Sequence, residues 1–109
     1  MVSPLCRCGV IQGDIWLAEI PGKTRPVLVV TRTTALGVMR YVTVAPITST
    51  IRDLPSHLVL GEGQGLHHEC AANFDDLHTL PKAYLVRRLG HLGTRQHELC
   101  AALRAAADC

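Results

Sequence analysis

Aromatic residues are scarce: Trp16, Phe74, Tyr41 and Tyr84 are the only four in 109 residues. The core must therefore be aliphatic, and a hydrophobic content of 48%, carried by Val, Leu, Ile and Ala, is ample for one domain. Lysine is scarcer still, with Lys23 and Lys82 set against nine arginines. Arginine's planar fork matches phosphate geometry, which the lysine point charge does not. The formal net charge of +2 does not by itself define a nucleic-acid binder. No cysteine pair stands at C-x-x-C spacing, and the count of five is odd, which argues against a secreted disulfide scaffold. The opening MVSPLCRC lacks a long apolar run, so neither a secretory signal nor a membrane span is expected. Reduced cysteines in a cytoplasmic protein follow as the expectation. Repeats, low-complexity tracts and linkers are also missing. The chain reads as a leader over residues 1–9 and a single domain over 10–109.

Short strands dominate what is present. Gly13–Ile20, Arg25–Arg32 and Arg40–Pro46 carry β-branched or alternating apolar patterns separated by Pro21-Gly22 and Gly37. Pro26 can stand only near the start of its strand, because it offers no ladder donor. Thr48–Pro55 is polar and reads as a loop or a short turn of helix. Ser56–Leu60, Cys70–Phe74 and Arg87–His91 read as three further strands, and Pro81–Tyr84 as a single helical turn. Thr94–Ala107 changes character. Leu99, Ala102, Leu103 and Ala106 recur at helical spacing, the alanines favour helix, and Thr94 is a candidate N-cap. The expected fold is mainly β, a small barrel-like antiparallel sheet closed by a C-terminal helix. The run from Gly61 to Gly65 lacks the Lys and Ser/Thr of a phosphate loop and reads as a connection.

Three pieces stand out together: Gly13-Asp14-Ile15-Trp16, Arg25-Pro26-Val27-Leu28-Val29-Val30 and Pro46-Ile47-Thr48-Ser49. Arg25 precedes a proline, which holds it in extended backbone at the mouth of a buried strand. In order and spacing these pieces resemble the MazF/PemK family of toxin endoribonucleases. Weaker matches follow at Gly65-Leu66 through Cys70, at Leu77–Leu80 and at Leu89–Leu92. The resemblance covers nearly the whole domain. It implies an SH3-like β-barrel of the kind MazF shares with CcdB, a homodimer, and an RNA groove at the dimer interface. The small size and the apolar terminal helix are the only physical support for the dimer. The resemblance also implies cleavage of mRNA or tRNA at short sequences, held in check by a cognate antitoxin. The family's catalytic arginine and threonine fall on Arg25 and Thr48.

That chemistry stands on its own terms. RNA carries its own nucleophile, the 2′-OH beside the scissile phosphate, so the protein need supply neither a metal nor a cofactor. It must align the strand and stabilise charge on the phosphoryl oxygens, which preorganised donors do at about 100- to 1,000-fold in rate per donor. A guanidinium stays protonated throughout the physiological range and so suits electrostatic stabilisation better than proton abstraction. Lys23, Thr24, Ser49, Arg52, His57 and Phe74 are the candidate substrate-binding residues, with Phe74 as a stacking platform for a base. Arg87 and Arg88 are further candidates for the phosphate backbone. His57 lies on a strand that can face the groove, and two histidines acting as acid and base offer another route to RNA cleavage.

The sequence departs from the family in places. The segment between the first two strands is only Pro21-Gly22-Lys23-Thr24, which leaves the groove more open and lets Lys23 grip phosphate. Cys70 stands where many relatives have Ser, and Asp76 where many have Gln. A zinc site from His67, His68, Cys70, Cys6 and Cys8 is disfavoured by irregular spacing. The alternative function is a protein-binding poison of the CcdB type, which inhibits gyrase and cuts nothing.

Overall fold

The computed structural model describes residues 9–107. The expected leader at residues 1–9 lies outside that range except for Gly9. In chain order the elements are β1 (Asp14–Ile20), β2 (Lys23–Val29), a one-turn α1 (Thr33–Leu36), β3 (Tyr41–Thr48), β4 (His57–Leu60), β5 (Cys70–Asn73), β6 (His78–Pro81), β7 (Leu85–His91) and α2 (Gln96–Ala107). Short 3-10 turns at Glu62–Gln64, Lys82–Tyr84 and Gly93–Arg95 link some of them. The strands pair antiparallel in the order β4-β5-β3-β2-β1-β7, and β6 adds to the other end of β3. The result is a mostly β fold: a curled antiparallel half-barrel sheet with one C-terminal helix of three turns.

Alternation along the central strands sorts the core into two layers. On β2 and β3, Val27, Val29, Val42 and Val44 face one side, where Val10, Ala18, Leu36, Leu80 and Leu85 join them. Leu28, Ala45 and Ile47 face the other, with Ile15, Leu58, Leu60, Phe74 and Leu92. The helix seals this second layer. Leu99 and Ala102 are buried in it and Leu103 and Ala106 pack on its margin, as the helical spacing predicts. The stripe is thus spent on the chain's own core, which removes the helix as a physical argument for dimerisation.

Several boundaries move from their sequence-based positions. The second strand ends at Val29, and the third runs on through Pro46 and Ile47, so Thr48 is its last residue rather than the first of a loop. The last strand begins at Leu85. The helix starts at Gln96, with Thr94 inside the preceding 3-10 turn rather than capping it. Strand β6 and the turn α1 carry no apolar alternation and escape the pattern altogether. β6 exists because β3 offers it a partner edge, pairing Val42 with Leu80 and Val44 with His78.

Two contacts hold the curl. The 3-10 turn after β4 lies against β7 so closely that a Cβ on Gly65 would sit 1.9 Å from the Leu89 carbonyl oxygen. A Cβ on Gly90 would sit 2.0 Å from that of Gln64. Gly65 also has φ +88°, a left-handed conformation that favours glycine. At the same end of β7, where it pairs with His91, Asp14 is fully buried. Its carboxylate accepts from the Ile11 backbone N–H (3.0 Å), Trp16 Nε1 (3.2 Å) and Arg88 Nε (3.1 Å). The Gly-Asp-Ile-Trp opening is therefore a structural clasp: one carboxylate ties the chain before β1 to β1 and β7.

Candidate active site

Register brings the two catalytic candidates together. Val27 stands opposite Pro46, Leu28 opposite Ala45 and Val29 opposite Val44. Carried two residues further, the same register sets Arg25 opposite Thr48, on the face that carries Val27 and Val29. Both line a cleft of about 220 Å³ with Pro46, Thr50, Arg52, His57, Asn73 and Asp76. The sheet order explains this membership. His57 on β4 pairs with Asn73 on β5, and Thr48 on β3 pairs with Ala71 on β5, so four neighbouring strands contribute to one surface.

The polar groups here are prepared rather than satisfied. Arg25 Nε is buried and has no hydrogen-bond partner among the described residues. An unmet buried donor costs about 1–3 kcal/mol, which an arriving anion would recover. Thr48 Oγ1 accepts from the Thr50 backbone N–H at 3.1 Å, which fixes its oxygen and leaves its proton to donate. The cleft has mixed charge: Arg25 and Arg52 face Asp76, whose carboxylate lies 3.3 Å from His78 Nε2. The His57 ring is 4% exposed. Its Nδ1 is buried without a partner among the described residues, and its Nε2 lies 3.9 Å from Asp75 Oδ2. That same Asp75 oxygen accepts from the Ser56 hydroxyl at 2.5 Å.

The remaining sequence candidates fall elsewhere. Lys23 and Thr24 belong to β2 rather than to a loop, and line a separate cavity of about 450 Å³ at the β1–β2 hairpin with Glu19, Ile20 and Tyr84. Ser49 lies on the opposite face from Thr48. It lines a largely apolar pocket of about 490 Å³ with Leu17, Pro26, Ile47, Leu66, Cys70 and Arg87. Phe74 is not a stacking platform: it is 2% exposed and packs inside the second core layer, so its ring cannot meet a base. Arg88 is held by Asp14, leaving Arg87 as the member of that pair on a pocket. Thr50 and Asn73 are cleft residues that sequence reasoning did not single out. Asn73 becomes visible only once β4 and β5 are paired.

Among the described residues no three His, Cys, Asp or Glu side chains gather where they could hold a metal ion. Cys70 Sγ contacts His68 Nδ1 at 3.2 Å, and burial pushes its thiol pKa up. Cys6 and Cys8 lie outside the described residues. No helix among the described residues is long and apolar enough to cross a membrane.

Comparison with known proteins says which kind of protein carries this curled half-barrel sheet. The model of the PemK-like, MazF-like toxin family of type II toxin–antitoxin systems matches residues 11–106. The chain belongs to this family. It is 40% identical over 100 residues to "Probable endoribonuclease MazF2" of Mycobacterium tuberculosis, a match covering 90% of this chain and 98% of that protein. It is 39% identical over 102 residues to "Probable endoribonuclease MazF5" of the same organism, covering 90% and 93%. Among solved structures, the Mycobacterium tuberculosis toxin MazF-mt6 superposes with a TM-score of 0.80 at 33% identity, over 87% of this chain and 96% of that one.

Proposed function

We propose that this chain is a toxin endoribonuclease that cuts single-stranded RNA, mRNA or tRNA, at short sequences, with Arg25 and Thr48 as its catalytic pair. The observation that carries the reading is Arg25 Nε, buried and without a hydrogen-bond partner among the described residues, in the cleft that Thr48 also lines. The 2′-oxygen attacks phosphorus, the bond to the 5′-oxygen breaks, and the products carry a 2′,3′-cyclic phosphate and a 5′-OH. Arg25 donates to the phosphoryl oxygens as negative charge grows on them, and the Thr48 hydroxyl donates beside it. Arg52, at the cleft, grips the adjoining phosphate. Lys23 and Thr24, at the hairpin beyond, grip RNA that continues past the cleft. Because the nucleophile belongs to the substrate, this scheme asks nothing of a metal. Membership in a type II toxin–antitoxin family supports a cognate antitoxin as inhibitor; a homodimer as the working form and a cytoplasmic site of action complete the proposal. The endoribonuclease names of the relatives favour this reading over a gyrase poison.

The test is incubation of the purified protein with mixed single-stranded RNA in EDTA, followed by mapping of the ends. Discrete cuts with 5′-OH ends are expected. Arg25→Ala and Thr48→Ala should each lose about 100- to 1,000-fold in kcat. A folded protein that leaves both mRNA and tRNA intact refutes the proposal.

A further inference from the structure

The cleft holds an acidic side chain where an RNA backbone must pass. Asp76 lines it together with Arg25 and Arg52, yet pairs with neither. Its ion-pair contact among the described residues is to His78 Nε2, 3.3 Å from Oδ2. That contact orients the exposed carboxylate and leaves Oδ1 as an open acceptor. A carboxylate repels phosphate and attracts N–H donors. In single-stranded RNA those donors lie on the edges of the bases.

Asn73 stands beside Asp76 for a local reason. The chain leaves β5 in a turn, in which the Asp76 N–H donates to the Asn73 carbonyl at 3.4 Å. A turn of this kind sets its first and fourth residues close together. The Asn73 side-chain oxygen accepts from the Asp75 N–H at 2.9 Å. That bond decides which end of the amide is which: Oδ1 is spent, and Nδ2 remains to donate. One turn thus gives the same cleft a donor and an acceptor.

We propose that Asn73 and Asp76 are specificity-determining residues that read a base flanking the scissile phosphate, and that they select a base with an exocyclic amino group over uracil. The inference rests on the endoribonuclease reading and deepens it. A cleft of about 220 Å³ has room for one phosphate at Arg25 and Thr48 and little more than one base edge, so the base read is an immediate neighbour of the cut. Asp76 Oδ1 accepts from the amino group, and Asn73 Nδ2 donates to the ring nitrogen beside it. Adenine, cytosine and guanine each carry an unprotonated ring nitrogen next to the carbon that bears the amino group. Uracil has no amino group. Its N3–H lies between two carbonyl oxygens, so a carboxylate accepting there is repelled from both sides. A matched pair of this sort discriminates by about 10- to 100-fold, because the wrong base leaves polar groups unpaired. The charge of Asp76 also keeps the backbone off this end of the cleft, so the strand lies with its phosphate at Arg25 and its base at the turn.

The experiment cleaves a pool of single-stranded RNA, randomised over a short window, with wild type, Asp76→Asn and Asn73→Ala, and sequences the ends. Wild type should disfavour uracil about 10-fold or more at one position flanking the cut. Asp76→Asn, whose amide can donate to a carbonyl, should admit uracil at that position and keep the wild-type preferences elsewhere. Asn73→Ala should lose about 10-fold in kcat/KM on the preferred sequence and still reject uracil. A synthetic RNA of the preferred sequence whose base at that position lacks its amino group, such as purine riboside for adenosine, should lose about 10- to 100-fold in kcat/KM with wild type and far less with Asp76→Asn. The wild-type half of that comparison needs no variant, so it decides if a variant does not fold. Wild-type cleavage that accepts uracil freely at both flanking positions overturns the proposal, as does indifference to the missing amino group. An unchanged spectrum in Asp76→Asn overturns it too. So does an even rise on all sequences, which would make the carboxylate a repeller of phosphate only. Asn73→Ala at the full wild-type rate overturns the paired reading. A wild-type protein that cuts nothing refutes the endoribonuclease reading, and this one with it. Cleavage that Arg25→Ala abolishes, with an unchanged spectrum in Asp76→Asn, refutes only the reading of the base.

Discussion

Replacing Asp14 with Ala tests whether the carboxylate at the start of β1 is the clasp its contacts describe. Alanine strands three donors at once: the Ile11 N–H, Trp16 Nε1 and Arg88 Nε. Hydrogen bonds to a charged group are worth about 1.5–3 kcal/mol each, and breaking a buried ion pair costs about 3–5 kcal/mol. These are not additive here. The Arg88 side chain is 50% exposed, so water takes over its charge and its share is discounted. The remainder is two donors near a site that is 0% exposed, giving a loss of about 3 kcal/mol for Asp14→Ala. At about 4–8 °C per kcal/mol, that is a fall of about 15 °C in Tm. The Asp14→Asn variant can keep an amide oxygen toward Ile11 and Trp16 and lose only the Arg88 bond, so a cost of about 1 kcal/mol is expected. Trp16 is the only tryptophan, so urea unfolding followed by its fluorescence reads the very residue the carboxylate holds. The transition should shift to lower urea with an unchanged slope. Asp14→Ala within about 1 kcal/mol of wild type would refute the clasp, as would Asp14→Asn falling as far as Asp14→Ala.

Three other substitutions or probes check the account elsewhere. Gly65→Ala places a Cβ 1.9 Å from the Leu89 carbonyl oxygen in a left-handed residue, and should cost about 3 kcal/mol or more in urea unfolding. A near-neutral result would mean the turn does not press on β7. Phe74→Leu should lower stability by about 1–2 kcal/mol while leaving KM for RNA within about twofold, because the ring is core; a raised KM with unchanged stability would restore it as a base platform. Cys100 is exposed, whereas Cys70 is buried with its thiol pKa pushed up, so less of it is thiolate at neutral pH. Iodoacetamide labelling followed by peptide mass spectrometry should modify Cys100 before Cys70, and equal rates at the two would contradict the burial of Cys70.

Local chemistry determined much of this protein before any fold was known. The valines of Arg25–Val30, the alternation in Tyr41–Val44 and the alanine-rich terminal segment are period signals, and each marks an element of the expected type, with its ends shifted by one to three residues. The resemblance carried by Gly13–Trp16, Arg25–Val30 and Pro46–Ser49 pointed to Arg25 and Thr48, and those two do share a cleft. What sequence could not decide is which face a residue at a strand end joins. Thr48 and Ser49 are neighbours, both hydroxyls, yet one lines the arginine cleft and the other a pocket across the sheet. Strand alternation separates them, and that depends on whether the strand ends before or after Thr48. Phe74 looked like a platform because its flanks, Asn73 and Asp75, are polar. Just past the end of β5, the ring is buried in the second core layer, while Asn73, the last residue of β5, lines the cleft. Short strands such as β6 form because a neighbour's edge needs a partner, which no local pattern records. The sequence by itself settled composition, element periods and the choice of Arg25 and Thr48 as the candidate pair; the tertiary structure alone decided which side chains from distant segments share a surface, because non-local register has no local signature.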